Sequence, residues 1–273
     1  MSFPTRPRPA FAAALVLAAA LVAPPARAQS VPAGGRFELT GEFLVQVDGE
    51  ASPKATLYQS QQARAFLLIA PEFPSPVLIG TASRQVEILD LMKVARQDDV
   101  VQLLPQATLS IEGGWELAGD DVVFRAAGKS VRLKPRPWLL GNHSAQEVLD
   151  HDPDYQRKAK KYTPISDVIA RLKGAKGDVR VLAFFGSWCP HCRENLPSLL
   201  RVDQELKASR LRFDYYGVPR PFDKDPEATR LKVPGVPTAV VFVAGREIGR
   251  IGGSQWASPE TALYDLLKTA GAL

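Results

Sequence analysis

Cysteine is almost missing from this chain, with two residues in 273, and histidine and methionine are nearly as scarce at three and two. A structural metal usually takes four ligands, and neither a second Cys-x-x-Cys nor a His-x-x-x-His is present to complete a set, so no metal site and no cofactor are expected. Long apolar runs are scarce as well. The longest, Phe11 to Ala23, has about 13 residues, short of the roughly 20 that a membrane helix needs. Charge of one sign is not in large excess either. Three of the five net positive charges, Arg6, Arg8 and Arg27, precede Gln29 with no acid beside them, which leaves a balance that gives no reason to expect a nucleic-acid partner. No internal repeat or extended low-complexity tract appears.

What is present begins with a targeting pattern. Arg6 and Arg8 precede the apolar run, Pro24-Pro25 ends it, and Ala26-Arg27-Ala28 places small residues where cleavage before Gln29 requires them. Residues 1–28 are therefore expected to be a signal peptide, and the absence of cysteine at the cleavage site excludes a lipid anchor. The processed chain is expected in an oxidising compartment, most simply a bacterial periplasm, with no membrane span.

From Phe37 to Leu133 short alternating apolar runs recur between turn signals such as Asp48-Gly49, Gly113-Gly114 and Ala118-Gly119-Asp120. That rhythm predicts an all-β sandwich or small barrel over residues 29–135. The stretch has no cysteine, histidine or phosphate-binding glycine loop, which leaves docking, substrate presentation or dimerisation as its roles. Pro135-Arg136-Pro137 punctuates the chain, and the polar segment 136–163 reads as a linker with some helical content, a short helix from Ala145 to Leu149, and with His143 and His151 as exposed linker residues. The basic clusters Arg132-Lys134-Arg136 and Arg157-Lys158-Lys160-Lys161 read as solvated faces.

Residues 164–273 read as a second, α/β domain. Helix Ile165 to Leu172, strand Val179 to Phe185, a long helix from Pro190, strand Leu211 to Tyr216, a short helix near Glu227, two strands joined at Ala244-Gly245-Arg246 and a closing helix Pro259 to Thr269 follow in order, with Ser258 as N-cap of the last. Both cysteines sit where the buried strand meets the long helix, in Trp188-Cys189-Pro190-His191-Cys192. The helix N-terminus favours a thiolate on Cys189, and a protonated His191 would add to it. Cys189 is thus expected to be the exposed attacking sulfur and Cys192, one turn in, the buried resolving one. A structural disulfide would close a very small loop and restrict the unfolded chain little. A two-thiolate Cu(I) site stays open, since soft thiolates select that ion.

Taken with Gly235-Val236-Pro237-Thr238, 45 residues beyond Cys192, the motif resembles the thioredoxin superfamily over residues 164–273. The resemblance implies a protein thiol-disulfide oxidoreductase with Pro237 facing the cysteines, Val236 pairing its backbone with an extended client segment, and Trp188 and Pro190 flanking the substrate. Pro-His between the cysteines is similar to the DsbA family, although the cysteine-to-proline spacing leaves no room for that family's helical insertion. Leu196-Pro197 is similar to reductases of the TlpA and ResA type. Two positions depart from these patterns: Ala183 stands where thioredoxin carries a buried aspartate, and Asn195 where the TlpA type carries a glutamate. Glu194, Asp178 and Asp214 are weaker acidic candidates. The implied partners are client proteins with cysteines and a redox partner protein. The alternatives are a reductase serving cytochrome c or copper-site maturation, and a Cu(I)-carrying binding protein.

Overall fold

The computed structural model describes residues 35–97, 99–207 and 209–273, so the expected signal peptide lies outside the described residues. Twelve strands come first: β1 (Arg36–Thr40), β2 (Phe43–Val47), β3 (Glu50–Ala51), β4 (Thr56–Ser60), β5 (Ala65–Ile69), β6 (Val77–Gly80), β7 (Gln85–Leu89), β8 (Val94–Gln97), β9 (Val100–Leu103), β10 (Thr108–Ala118), β11 (Asp121–Ala126) and β12 (Lys129–Pro135). They form one antiparallel sheet in the order β3-β2-β12-β11-β10-β7-β6-β5-β4-β1-β9-β8.

Adjacent residues of a strand point to opposite faces, and in β4 to β7 both faces are apolar. Leu57, Leu68, Val77, Ile79 and Val86 join one core with Val45, Phe124 and Val131 from β2, β11 and β12. Their neighbours Tyr58, Leu67, Leu78 and Leu89 join a second core with Phe37, Val101 and Leu103 from β1 and β9. The all-β expectation holds, with the two ends of a single sheet supplying apolar cover to opposite faces of its middle strands. Gly113-Gly114, expected as a turn, lies inside β10. The register of β10 against β7 shifts between Ile111 and Gly113, and Gly113 takes a φ of 145° that a side chain would resist.

The segment 136–163, expected as a polar linker, is built into the C-terminal α/β region. It supplies β13 (Gly141–His143), which pairs antiparallel with β15 (Leu211–Gly217). It also supplies α1 (Ala145–His151) and α2 (Pro153–Lys161), whose Val148, Leu149, Tyr155 and Ala159 are buried in the C-terminal core. The polar composition misled because these short helices bury one narrow face each. Ser144 and Glu147 form a capping box on α1, and the Asp152 side chain accepts the Asp154 amide at the start of α2, 2.8 Å away.

The remaining elements are α3 (Ser166–Leu172), β14 (Val179–Phe185), α4 (Pro190–Leu206), α5 (Pro226–Arg230), β16 (Thr238–Val243), β17 (Arg246–Ile251) and α6 (Pro259–Thr269). The sheet order is β13-β15-β14-β16-β17, with β14 and β15 parallel and the other pairs antiparallel. One face of β14, through Val181, Ala183 and Phe185, packs on the core built by α1 to α4 and α6. Leu182 and Phe184 face the smaller core under α5. Ser258 precedes α6 but makes no capping bond to its amides; its hydroxyl lies 3.0 Å from Glu260 Oε1, which the Ile165 amide also reaches at 3.1 Å.

Candidate active site

Four residues, Gly186 to Cys189, separate the end of the buried strand β14 from α4, and the site is built around them. Gly186 is required there, since a Cβ would fall 2.6 Å from the Trp188 ring. Trp188 is fixed by its indole N–H, which donates to the Val218 carbonyl at 2.9 Å. Cys189 is the N-cap of α4 and Pro190 its first residue, so the free amides of the first turn gather around the Cys189 sulfur.

The two thiols, unpaired in this structure, are driven in opposite directions. The Cys189 pKa is lowered to about 6, chiefly because the Cys192 thiol donates to its sulfur; burial opposes this, the Cys192 and His191 amides assist, and the His191 charge contributes least. Cys192 is wholly buried and its pKa is strongly raised, first by desolvation and then by the neighbouring Cys189 sulfur, while the Gly186 amide, 3.4 Å away, works the other way. One site therefore holds a thiolate and a thiol near neutral pH. Two simultaneous thiolates, as a Cu(I) carrier would present, run against the burial of Cys192.

Cys189 is buried, with 6% of its surface exposed, where an exposed sulfur was expected. The cover comes partly from the Val236 carbonyl, which the Cys189 thiol approaches at 3.7 Å. The Val236–Pro237 peptide is cis, and the Pro237 carbonyl accepts from the Trp256 indole at 3.1 Å. Pro190 and His191 are exposed at the rim. The structure thus brings Trp188, Cys189, Cys192, Val236 and Pro237 together. Asn195 turns its amide to the His191 carbonyl at 2.8 Å, Glu194 pairs with Lys158, and Asp214 pairs with Arg180, so none of these is spent on the cysteines.

Several neighbours of the site come from segments read as linker or as surface. Arg193, next to Cys192, pairs with Glu42 of the β1–β2 turn at 3.0 Å and with the buried Asp152 at 3.7 Å. Pro197 has no N–H to give the Arg193 carbonyl, and the Lys158 ammonium approaches that carbonyl at 3.4 Å. Arg157 and Lys161 reach Asp99 of the β8–β9 turn at 3.6 and 3.0 Å, so the second basic cluster is an ion-paired seam rather than a solvated face. Arg136 of the first cluster donates to the Gly41 carbonyl at 2.7 Å. A cleft of about 230 Å³ between Glu42, Arg136, Trp138, His151, Trp188 and Arg193 lies on this seam. His151, expected to be exposed, is half-buried there and its pKa falls to about 4, through desolvation first and the nearby Arg136 charge second. The exposed Trp138 ring lies 6.4 Å from that of Trp188.

Residues 170–268 match the thioredoxin family model. Among solved structures, mitochondrial thioredoxin 3 from Saccharomyces cerevisiae, in its oxidised form, is 25% identical over 40% of this chain and 98% of its own, with a TM-score of 0.28. Fasciola hepatica thioredoxin is 26% identical over 38% of this chain and 91% of its own, with a TM-score of 0.27. A Pseudomonas aeruginosa protein of unknown function is 18% identical, covering 46% of this chain and 85% of that one, with a TM-score of 0.33. The chain therefore carries a C-terminal thioredoxin domain behind a twelve-stranded β region. A domain of this class, holding two cysteines of such unequal acidity, points to thiol-disulfide redox chemistry.

Proposed function

We propose that this protein is an exported thiol-disulfide oxidoreductase that exchanges disulfides with periplasmic client proteins. The observation that carries the reading is the Cys189 thiolate pocket: the Cys192 thiol and two helix-start amides converge on a sulfur whose pKa falls to about 6. Cys189 attacks or is attacked, and the buried Cys192 closes or reopens the internal disulfide. The Val236 backbone pairs with an extended client segment, with Trp188, Pro190 and Pro237 bordering it. His191 assists the thiolate from the rim. The pattern of residues 1–28 supports export.

A stabilised thiolate favours the reduced form and makes the disulfide more oxidising. The expected potential lies above the roughly −270 mV of thioredoxin, measured by equilibration with glutathione, and thiolate absorbance should titrate near pH 6. His191→Pro should raise that pKa and lower the potential, by less than loss of the Cys192 donor would. A wild-type potential at or below that of thioredoxin overturns the oxidant reading in favour of a reductase. Stoichiometric copper retention without disulfide exchange would replace the enzyme with a carrier.

A further inference from the structure

Tyr155 on α2 is 1% exposed, and its hydroxyl is sealed from solvent without a hydrogen-bond partner. A phenylalanine would fill the same space without leaving a buried donor unmade, so the hydroxyl carries a cost that the fold does not repay. Its surroundings supply a reason. Tyr155 shares one apolar core with Cys189 and Cys192. The titratable groups that act on it are Cys192, Asp152, Arg193 and Cys189; desolvation first, then Cys192 when ionised, hold its pKa far above the ordinary phenol value, so it stays a protonated donor. On the sulfur side, the Gly186 amide is the one backbone donor reaching Cys192 among the described residues.

We propose that the Tyr155 hydroxyl is the donor that receives the thiolate formed on Cys192 during exchange, a role that rests on the thiol-disulfide reading of this site. When a client thiolate attacks Cys189 of the internal disulfide, the Cys189–client bond forms and the Cys189–Cys192 bond breaks. Cys192 leaves with the electron pair, in a place where water cannot solvate it. The client's second thiol then passes its proton to Cys192 as it attacks the mixed disulfide, and Cys189 is released as a thiolate. The client has lost two electrons and the enzyme has gained them. Exchange in the other direction passes through the same Cys192 thiolate, so an attack by Cys192 reports on it equally well.

Tyr155→Phe in the full chain tests this with the aromatic disulfide DTNB as probe. The reduced protein releases one thionitrobenzoate when Cys189 attacks and a second when Cys192 resolves the adduct, and stopped-flow absorbance with acid-quench mass spectrometry separates the two. The first release should be unchanged, while the second slows about tenfold, with its pH profile moved to higher pH, as expected for one lost hydrogen bond to a charged group. Unfolding should be unchanged or shifted to higher temperature, since no existing hydrogen bond is removed. An unaltered second release overturns the proposal, as does equal slowing of both steps or a clearly lowered melting point, either of which would make the hydroxyl structural. A wild-type protein that releases no thionitrobenzoate would instead sink the thiol-exchange reading itself.

Discussion

Among the described residues, the twelve-stranded region buries a single carboxylate, Glu87, whereas the C-terminal region buries Asp152, Asp154, Asp225 and Glu260. The lone acid in the first is answered by one hydroxyl, with Thr108 donating at 2.7 Å. The acids of the second are structural joints. Asp225 receives the Glu227 and Ala228 amides at the start of α5, Glu260 takes the Tyr162 hydroxyl at 2.7 Å and the Ile165 amide, and Asp152 starts α2 while facing Arg193. A sheet satisfies its own backbone and needs little else inside. Short helices packed on a sheet leave orphan amides that side chains must meet. The two regions touch through the acids that the β region lends, Glu42 and Asp99, both in turns.

The largest expected effect separates a dependence on that seam from a dependence on the segment before it. A fragment beginning at Asp154 lacks β13, Asp152 and the buried Val148 and Leu149. Two such side chains are worth about 1.5–3 kcal/mol each, a large share of a total stability of roughly 5–15 kcal/mol. This fragment should fail to fold and fail to exchange disulfides. One beginning at Trp138 retains all of those groups and should give native near-ultraviolet dichroism. If the shorter fragment folds and exchanges as well as the longer, α1 and β13 are ornaments on the domain rather than parts of it.

A smaller effect is expected when only the lent charges go. Partly exposed pairs contribute roughly 0.2–1 kcal/mol each. Glu42→Gln with Asp99→Asn should therefore lower urea stability by about 1 kcal/mol in total, while the Cys189 titration moves little. A displaced Cys189 titration would show that the β region tunes the chemistry through Arg193 and does more than hold the seam.

The sequence discloses the two regions unequally. The strand from Val179 to Phe185 and the helix from Pro259 to Thr269 were legible to the residue, because a continuous apolar run and a proline at a helix start leave little choice. In the β region the alternating runs were legible but β3, β4 and β8 were not, since Glu50–Ala51 is short and exposed, Thr56–Ser60 is interrupted by polar residues and Val94–Gln97 is largely exposed. The cysteines, Trp188 and Pro237 announced themselves by motif. The seam did not: Tyr155, Arg193, His151 and Glu42 come together only through tertiary packing, across as much as 151 positions. Two local signals were present for α1 and α2, the Ser144-x-x-Glu147 capping box and Asp152 before Pro153. The first agrees with the short helix expected from Ala145 to Leu149, whereas the second was outweighed by the charge on the outer face of α2.

The smallest expected effect sharpens the comparison at the seam itself, where His151 is kept neutral. Its folded pKa of about 4 lies below the ordinary value of 6.5. Between those values the unfolded chain binds a proton that the folded protein refuses, so stability falls as the pH drops through that window and is retained in full above it. Asp203 contributes with the opposite sign, because burial raises its pKa to about 6 and the folded protein binds a proton there that the unfolded chain does not. Cys189, its pKa lowered to about 6, adds stability as the pH rises above that value, so total stability against pH mixes several groups, and the difference between wild type and His151→Gln isolates the histidine. Urea midpoints measured at pH 7 and pH 5 should show wild type losing more than the variant. The gap should stay modest, since a half-buried ring is partly relieved by water. An equal loss in both proteins would mean that His151 takes up its proton as freely folded as unfolded, and that the cleft beside Trp188 and Arg193 is wet enough to admit a charge.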